Sequence, residues 1–381
     1  MAPKYINISI FLFIFLFSCI NENYKVINNK TSDIIITELE TISDSIELTE
    51  DYLNNYYTQT LFSKNSNDYM VAHNHKTHYI DIFNISKKEM SNIKLYEEGQ
   101  NSINRDINGI YANSIDSIWL YSTGNIYLLN TLGEIEKKYN LPVDKDEFII
   151  NSTNYANATI KLHFDSSRNA LFYTSIRMGD KNSFFINELN ILTMKVEKTE
   201  LIYTESEQGI GKKFGWMQHP NVTYKNNLII YNFPFNSNIY TINLDSKERN
   251  SFGGKSIYTK NYAAETTEMA IDNWFRHTIE NIHFYEINND KYKDCYYRLH
   301  LDGADFNSKD YKGDQLNSKR LFLTIFDSSF NIINEFPLTK NKYNIVGGWG
   351  VLKDGFFIIK DNPLKENVNY EQLEYDIIIP S

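Results

Sequence analysis

Side chains that could do chemistry are few in this chain, and most stand in patterns that fail a test of spacing. His73, His75 and His78, in HNHKTH, offer three imidazoles within six residues. His73 and His75 would share a strand face only if the strand ran on through Asn74, and NHKT reads better as a hairpin turn. Surface histidines are therefore expected there, and no metal is assigned. The stretch LDGADFNSKDYKGDQ gathers Asp302, Asp305, Asn307, Asp310 and Asp314, oxygen ligands of the kind calcium takes, but Lys309 interrupts the spacing of an EF-hand loop. It reads as a solvated acidic loop. In FGGKS, Gly254-Lys255-Ser256 imitates the end of a phosphate-binding loop, yet Arg249 stands where the first glycine belongs. GIGKKFG, residues 209–215, is likewise a loop without the strand-to-helix setting that phosphate binding needs. No Gly-x-Ser-x-Gly nucleophile turn occurs, and no pair of acids and bases is placed for catalysis. The sequence calls for no cofactor.

The remaining candidates suit binding better than bond-making. Trp216 and His219 lie in GKKFGWMQHPN, a long connection in which an aromatic ring and an imidazole could meet a ligand. Arg298 follows two tyrosines in a strand-like run, where a guanidinium must find an acceptor or face an open channel. Arg177 and Trp349, and after them Arg276 and Trp274, are candidates of the same kind. The plainer role for all of them is tryptophan packed in a core and arginine paired with a nearby carboxylate.

The elements that would position these residues are strands. With 28 Tyr and 24 Phe in 381 residues the chain can bury a large core. From about residue 31 onward, short runs of Ile, Val, Tyr, Phe and Leu alternate with Asn, Asp, Gly and Ser clusters, and helical periodicity is nearly absent. The punctuation repeats over 68–95, 116–141, 169–201, 226–252, 283–301 with 319–338, and 346–363 followed by EYDIIIPS. Repeated units of this kind predict an all-β fold, a six-bladed β-propeller of four-stranded antiparallel blades, with a two-sheet sandwich as the alternative. Ring closure then requires an early strand, residues 33–39 or 45–50, to join the last blade beside YDIII. Residues 263–281 carry the one partial helical pattern, between the fourth and fifth units.

The N-terminus supplies an address. ISIFLFIFLFSC is too short to span hydrocarbon, which takes about 20 residues, and fits the apolar core of a secretory signal. Its end, Leu16-Phe17-Ser18-Cys19, resembles a bacterial lipobox, which implies cleavage after residue 18 and a lipid on Cys19. The expected organisation is a signal peptide over 1–18, a tether over 19–30 and a propeller over 31–381. Cys295 is then left without a disulfide partner, since the chain has two cysteines. A formal charge of -10 argues against nucleic acid as a partner. Two Asp-Ser-Ile triplets, at Ser45 and Ser117, match a short O-glycosylation sequon, with Ser45 the better placed.

One stretch carries a family resemblance. FYEINNDKYKDCYYRLHL, with Asn289-Asp290, Tyr292 and Tyr296-Tyr297-Arg298, is similar to a tyrosine-rich segment of Bacteroidetes lipoproteins in the domain of unknown function 4221 family. The resemblance extends through the lipobox, the length and the six units, while Cys295 departs from the pattern. It implies a TolB-like six-bladed propeller in the cell envelope and implies no reaction. The combined expectation is a lipoprotein, held in the outer membrane through Cys19, whose propeller binds a glycan, a peptide or an envelope protein. A propeller-based polysaccharide lyase or hydrolase, or a structural part of an outer-membrane assembly, is the alternative.

Overall fold

The computed structural model describes residues 25–28, 32, 36–149, 152–154, 157–159, 161–179, 182–202, 214–266 and 271–380. The signal stretch, Cys19 and the 203–213 connection lie outside these residues. Six antiparallel blades form a ring, as the repeat predicts. Blade 1 runs from its innermost strand outward as Gln59–Lys64, Asn67–Asn74, Tyr79–Asn84 and Glu89–Lys94. Blade 2 comprises Ile107–Ser114, Ser117–Ser122, Asn125–Leu129 and Ile135–Asn140. In blade 3 the outer three strands are Ala170–Arg177, Ser183–Asn190 and Val196–Leu201. Its innermost strand comes in two pieces, Glu147–Ile149 and His163–Asp165, both paired to Ala170–Arg177. Blade 4 is Asn221–Lys225, Leu228–Asn232, Ile239–Asn243 and Arg249–Phe252. Blade 5 is His283–Asp290, Cys295–Leu301, Leu321–Asp327 and Ile332–Pro337.

Blade 6 closes the ring. Trp349–Val351, Phe356–Ile359 and Gln372–Pro380 take Leu39–Glu47 as their outermost strand, which pairs antiparallel along all nine residues of Gln372–Pro380. Closure by an early strand is thus as expected, over a span between the two segments the sequence offered. Ser45 lies inside that strand, opposite Glu374 and half-buried.

The strand sequences explain the stacking. In Ser117–Ser122, Ile118 and Leu120 pack toward blade 1, while Trp119 and Tyr121 point the other way, into blade 3. A strand buried on both faces needs apolar residues at successive positions, which is why these runs do not alternate with polar ones. Each neighbouring pair of blades shares one apolar cluster, from blades 1 and 2 around to blades 6 and 1.

Three local differences from the sequence reading have physical causes. Lys25–Ile27, expected to be tether, adds a parallel fifth strand to the outer edge of blade 4. An open strand edge presents unpaired amides and carbonyls, and this segment covers them. Helix α1, Ile271–Glu280, occupies the second half of the predicted helical stretch. The acidic insertion is not simply a solvated loop: it folds onto a short helix α2, Lys312–Asn317. There the Gln315 amide donates to Asn307 O at 2.8 Å and accepts from Asn307 N at 2.7 Å.

Candidate ligand site in the central channel

Because every blade begins at the axis, the innermost strands together wall a central channel. Its cavity is about 310 Å³ and takes residues from all six blades. Blade 1 contributes Gln59 and Thr60, blade 2 Tyr111, blade 4 Asn221, Thr223 and Tyr224, blade 5 Glu286, Asn288 and Asn289, and blade 6 Gly347 through Val351. Blade 3 contributes differently. Between its two inner pieces Ser152–Asn154 and Asn157–Thr159 pair with each other in a separate two-stranded sheet, an excursion from the blade, and Thr174 of the second strand is left lining the channel. The excursion returns with Lys161 and His163, which also line it.

Lys161 and Glu286 face each other from blades 3 and 5, with Nζ 3.8 Å from Oε1. They are the charged residues among the described lining residues, so the wall is electrically near neutral. His163 stacks on Tyr224 at 4.8 Å and meets Tyr111 edge-on at 5.1 Å. Burial among these rings pushes its imidazole down to about 4, which keeps it neutral at physiological pH. Burial likewise pushes the Tyr224 phenol up.

Part of the wall's polarity is spent on holding blades together. Asn221 Nδ2 donates to Phe284 O at 2.9 Å, and Thr223 Oγ1 donates to Ile287 O at 2.5 Å, joining blades 4 and 5. Other groups keep unused capacity: Gln59 Oε1, Tyr224 Oη and Asn289 Oδ1 are buried with no hydrogen-bond partner. Gly347 leaves the blade 6 wall open, since a Cβ there would have Tyr56 O, at 3.9 Å, as its nearest neighbour.

The structure scatters the residues singled out by sequence. Trp349 lines the channel but is 6% exposed, packed edge-on to Tyr285 at 4.8 Å. His219 is half-buried just before blade 4, beside Pro220, and its ring meets Phe184 edge-on at 5.8 Å. Trp216 falls in the 3-10 turn Gly215–Gln218, and its side chain lies outside those described. Arg177 sits at the blade 3 rim against Asp144, Asp146 and Glu147, the last at 2.7 Å, with Phe185 beneath it.

Arg298 takes the first of its two courses and finds acceptors. It has no exposed surface, donates from Nη1 to Ser237 O at 2.7 Å and from Nη2 to Gly254 O at 2.5 Å, and lies between Phe284 and Phe326. It therefore pins blade 5 to blade 4 and offers nothing to a channel ligand. The histidine reading needs a larger correction. His75 is exposed, but His73 and His78 are buried, with His73 Nε2 3.3 Å from His78 Nδ1 and His78 Nε2 2.9 Å from Ile103 O. The partners facing His73 Nε2 and both His78 ring nitrogens are what permits that burial.

Lys161, His163, Tyr224 and Glu286 were missed because innermost strands such as NVTYK look like polar connections between the greasier strands that follow. The signal in these strands is a polar residue at every second position, as at Asn221, Thr223 and Lys225 or at Glu286, Asn288 and Asp290.

A ring of six blades around an axial channel of polar and aromatic groups defines a β-propeller with a candidate axial binding site. The chain belongs to the family described as Domain of unknown function (DUF4221), whose profile matches residues 28–337. Among solved structures it is similar to a member of that family from Bacteroides vulgatus ATCC 8482, at 18% identity and a TM-score of 0.68, covering 90% of this chain and 98% of that one. It is also similar to a protein of Bacteroides fragilis NCTC 9343 named as a candidate exported protein, at 11% identity and a TM-score of 0.57, covering 94% of this chain and 100% of that one. A search of curated proteins finds no match. No helix among the described residues is long and apolar enough to cross a membrane.

Proposed function

We propose that this protein is a lipoprotein of the cell envelope, anchored in the outer membrane through Cys19, whose channel binds an uncharged, polyhydroxylated ligand of the glycan class. The channel wall carries this reading. Its one described Lys and one described Glu neutralise each other, its histidine is held neutral, and what remains is amide, hydroxyl, aromatic, aliphatic and glycine. A charged ligand would have to break the Lys161–Glu286 pair or sit opposite a like charge. A sugar can use amides for its hydroxyls and ring faces for its C–H edges. The cavity, about 310 Å³, lies at the small end of ligand sites, which suits one or two sugar rings. The similarity to a protein named as exported agrees with the signal stretch.

The test is saturation-transfer NMR on the mature chain with a panel of neutral oligosaccharides beside acidic and basic peptides. Saturable binding of a neutral glycan, weakened at least tenfold by Asn289→Leu, is expected. Binding confined to the charged peptides, or indifferent to Asn289, would sink the proposal.

A further inference from the structure

The short strand Lys25–Ile27 determines where the N-terminal segment leaves the propeller. In blades 1 to 5 the turns between first and second strands, and between third and fourth, fall on one face of the disc; the longer links between blades fall on the other. Arg249–Phe252 starts directly after the turn at 244–248, on the tight-turn face. Lys25–Ile27 runs parallel to it, with Lys25 opposite Asn250 and Ile27 opposite Phe252. Lys25 is therefore at the tight-turn rim of blade 4. From Cys19 to Lys25 is six peptide steps, a reach of at most about 20 Å in any conformation. A tether running free to residue 30 would reach nearly twice as far and leave the orientation open.

The surface around this exit carries exposed apolar side chains. On the blade 3 turn Leu192 is 70% and Met194 45% exposed, on the blade 5 turn Tyr292 is 42% exposed, and Val26 at the edge is 67% exposed. Lys247 stands on the blade 4 turn, and Lys291 and Lys293 on the blade 5 turn. Of the acids beside them, Asp245 is 2.9 Å from Arg168 and Asp294 is 3.6 Å from Lys225, while Glu248 is exposed. Apolar tips among lysines are what settles into a headgroup layer, the apolar ends reaching acyl chains and the ammonium groups meeting phosphates.

We infer that the tight-turn face around blade 4 rests on the lipid bilayer that holds Cys19, so that the long-loop mouth of the channel opens away from the membrane. This rests on the lipid-anchor reading above. Tyr57, Pro220 and Val346 line the channel where the inner strands begin, at that outward mouth, so an approaching ligand meets them before it meets lipid.

The experiment uses full-length protein purified with its native N-terminus and reconstituted in phosphatidylethanolamine–phosphatidylglycerol vesicles containing a doxyl-labelled lipid. A fluorophore is placed at Leu192→Cys or, on the opposite face, at Tyr370→Cys; both native side chains are exposed. Quenching at position 192 at least threefold stronger than at 370 supports the orientation. Equal quenching, or stronger quenching at 370, in protein whose mass shows an acylated Cys19 overturns the orientation alone. A mature N-terminus without acyl groups overturns the anchor reading and the orientation with it.

Discussion

Arg298 and Lys161 are both cations in the interior of the disc, and their surroundings assign them opposite roles. Arg298 lies between two blades, fully buried, with two carbonyls accepting from its terminal nitrogens and a ring on either side. Lys161 stands in the channel with its side chain 49% exposed and Glu286 at 3.8 Å, a distance at which the pair is loose. Burial with directed partners makes a cation a structural pin, and a half-exposed position with one loose partner leaves it available. The difference lies in the partners, which come from other blades, and so residue type alone could not separate the two.

The sharpest way to break the comparison is to remove the pin. Arg298→Met leaves Ser237 O and Gly254 O buried without a donor, and each orphaned acceptor costs about 1 to 3 kcal/mol. The expected loss is about 2 to 6 kcal/mol, read by urea unfolding of the mature chain. Gly254→Ala should act in the same direction, because its Cβ would come to 2.6 Å from Ser237 O and 2.9 Å from the Arg298 guanidinium. A stable Arg298→Met protein would mean that the rings, and not the carbonyls, hold the blades together.

A second, smaller effect contrasts the closed blade 1 interior with the channel wall. Burial lowers His73 to about 3 in the fold against an unfolded value near 6.5, so the unfolded chain binds more protons as pH falls. His73 stability is therefore complete above about 6.5 and drains away toward 3, by at most about 1.4 kcal/mol per pH unit. Asp81, held up to about 6 by burial, works against this: its protonated form is favoured in the fold, and that contribution fades as pH rises through 6. His73→Gln should accordingly flatten the stability slope between pH 6.5 and 4.5 by about 2 kcal/mol in total, measured as a difference from wild type. An unchanged slope would show that water reaches His73.

The same contrast explains what could be read from sequence. Runs such as SIWLYS, greasy on both faces, announce blades, and YDIII announces a closing partner. Leu39–Glu47 falls between two marked segments because pairing partners, not its own composition, fix its limits. The channel was hidden for a related reason. His163 and Lys161 reach it because the innermost strand of blade 3 is interrupted, and nothing in residues 147–165 read alone requires the two pieces to share one neighbouring strand. Arg298 looked like a site residue because its acceptors, Ser237 and Gly254, are remote in sequence.

Inside the channel the expected effects are smaller and partly of the other sign. Tyr224 Oη is buried with no partner, an arrangement that costs stability, so Tyr224→Phe should raise the ligand-free chain by about 1 kcal/mol or a few degrees in Tm. Calorimetry of the unliganded protein checks it. A destabilised Tyr224→Phe would mean that the hydroxyl already holds an ordered water, and the wall would then be less open than its unused groups indicate.

The smallest effect should be at Lys161 and Glu286, where stability and binding separate. Pairs as exposed as this one are worth about 0 to 1 kcal/mol, so Glu286→Gln or Lys161→Met should leave unfolding within about 0.5 kcal/mol of wild type. Each variant, however, leaves one charge unpaired in the channel. An uncharged glycan gains nothing from that charge, whereas a charged ligand gains directly: an anion from Lys161 in the Glu286→Gln protein, a cation from Glu286 in the Lys161→Met protein. The two variants should therefore shift selectivity toward opposite charges while keeping neutral binding within about threefold. Titration calorimetry with one neutral oligosaccharide, one acidic and one basic peptide separates the cases. If both variants instead lose neutral binding more than tenfold, the pair itself is the ligand's contact, and the channel selects for a zwitterion rather than for an uncharged sugar.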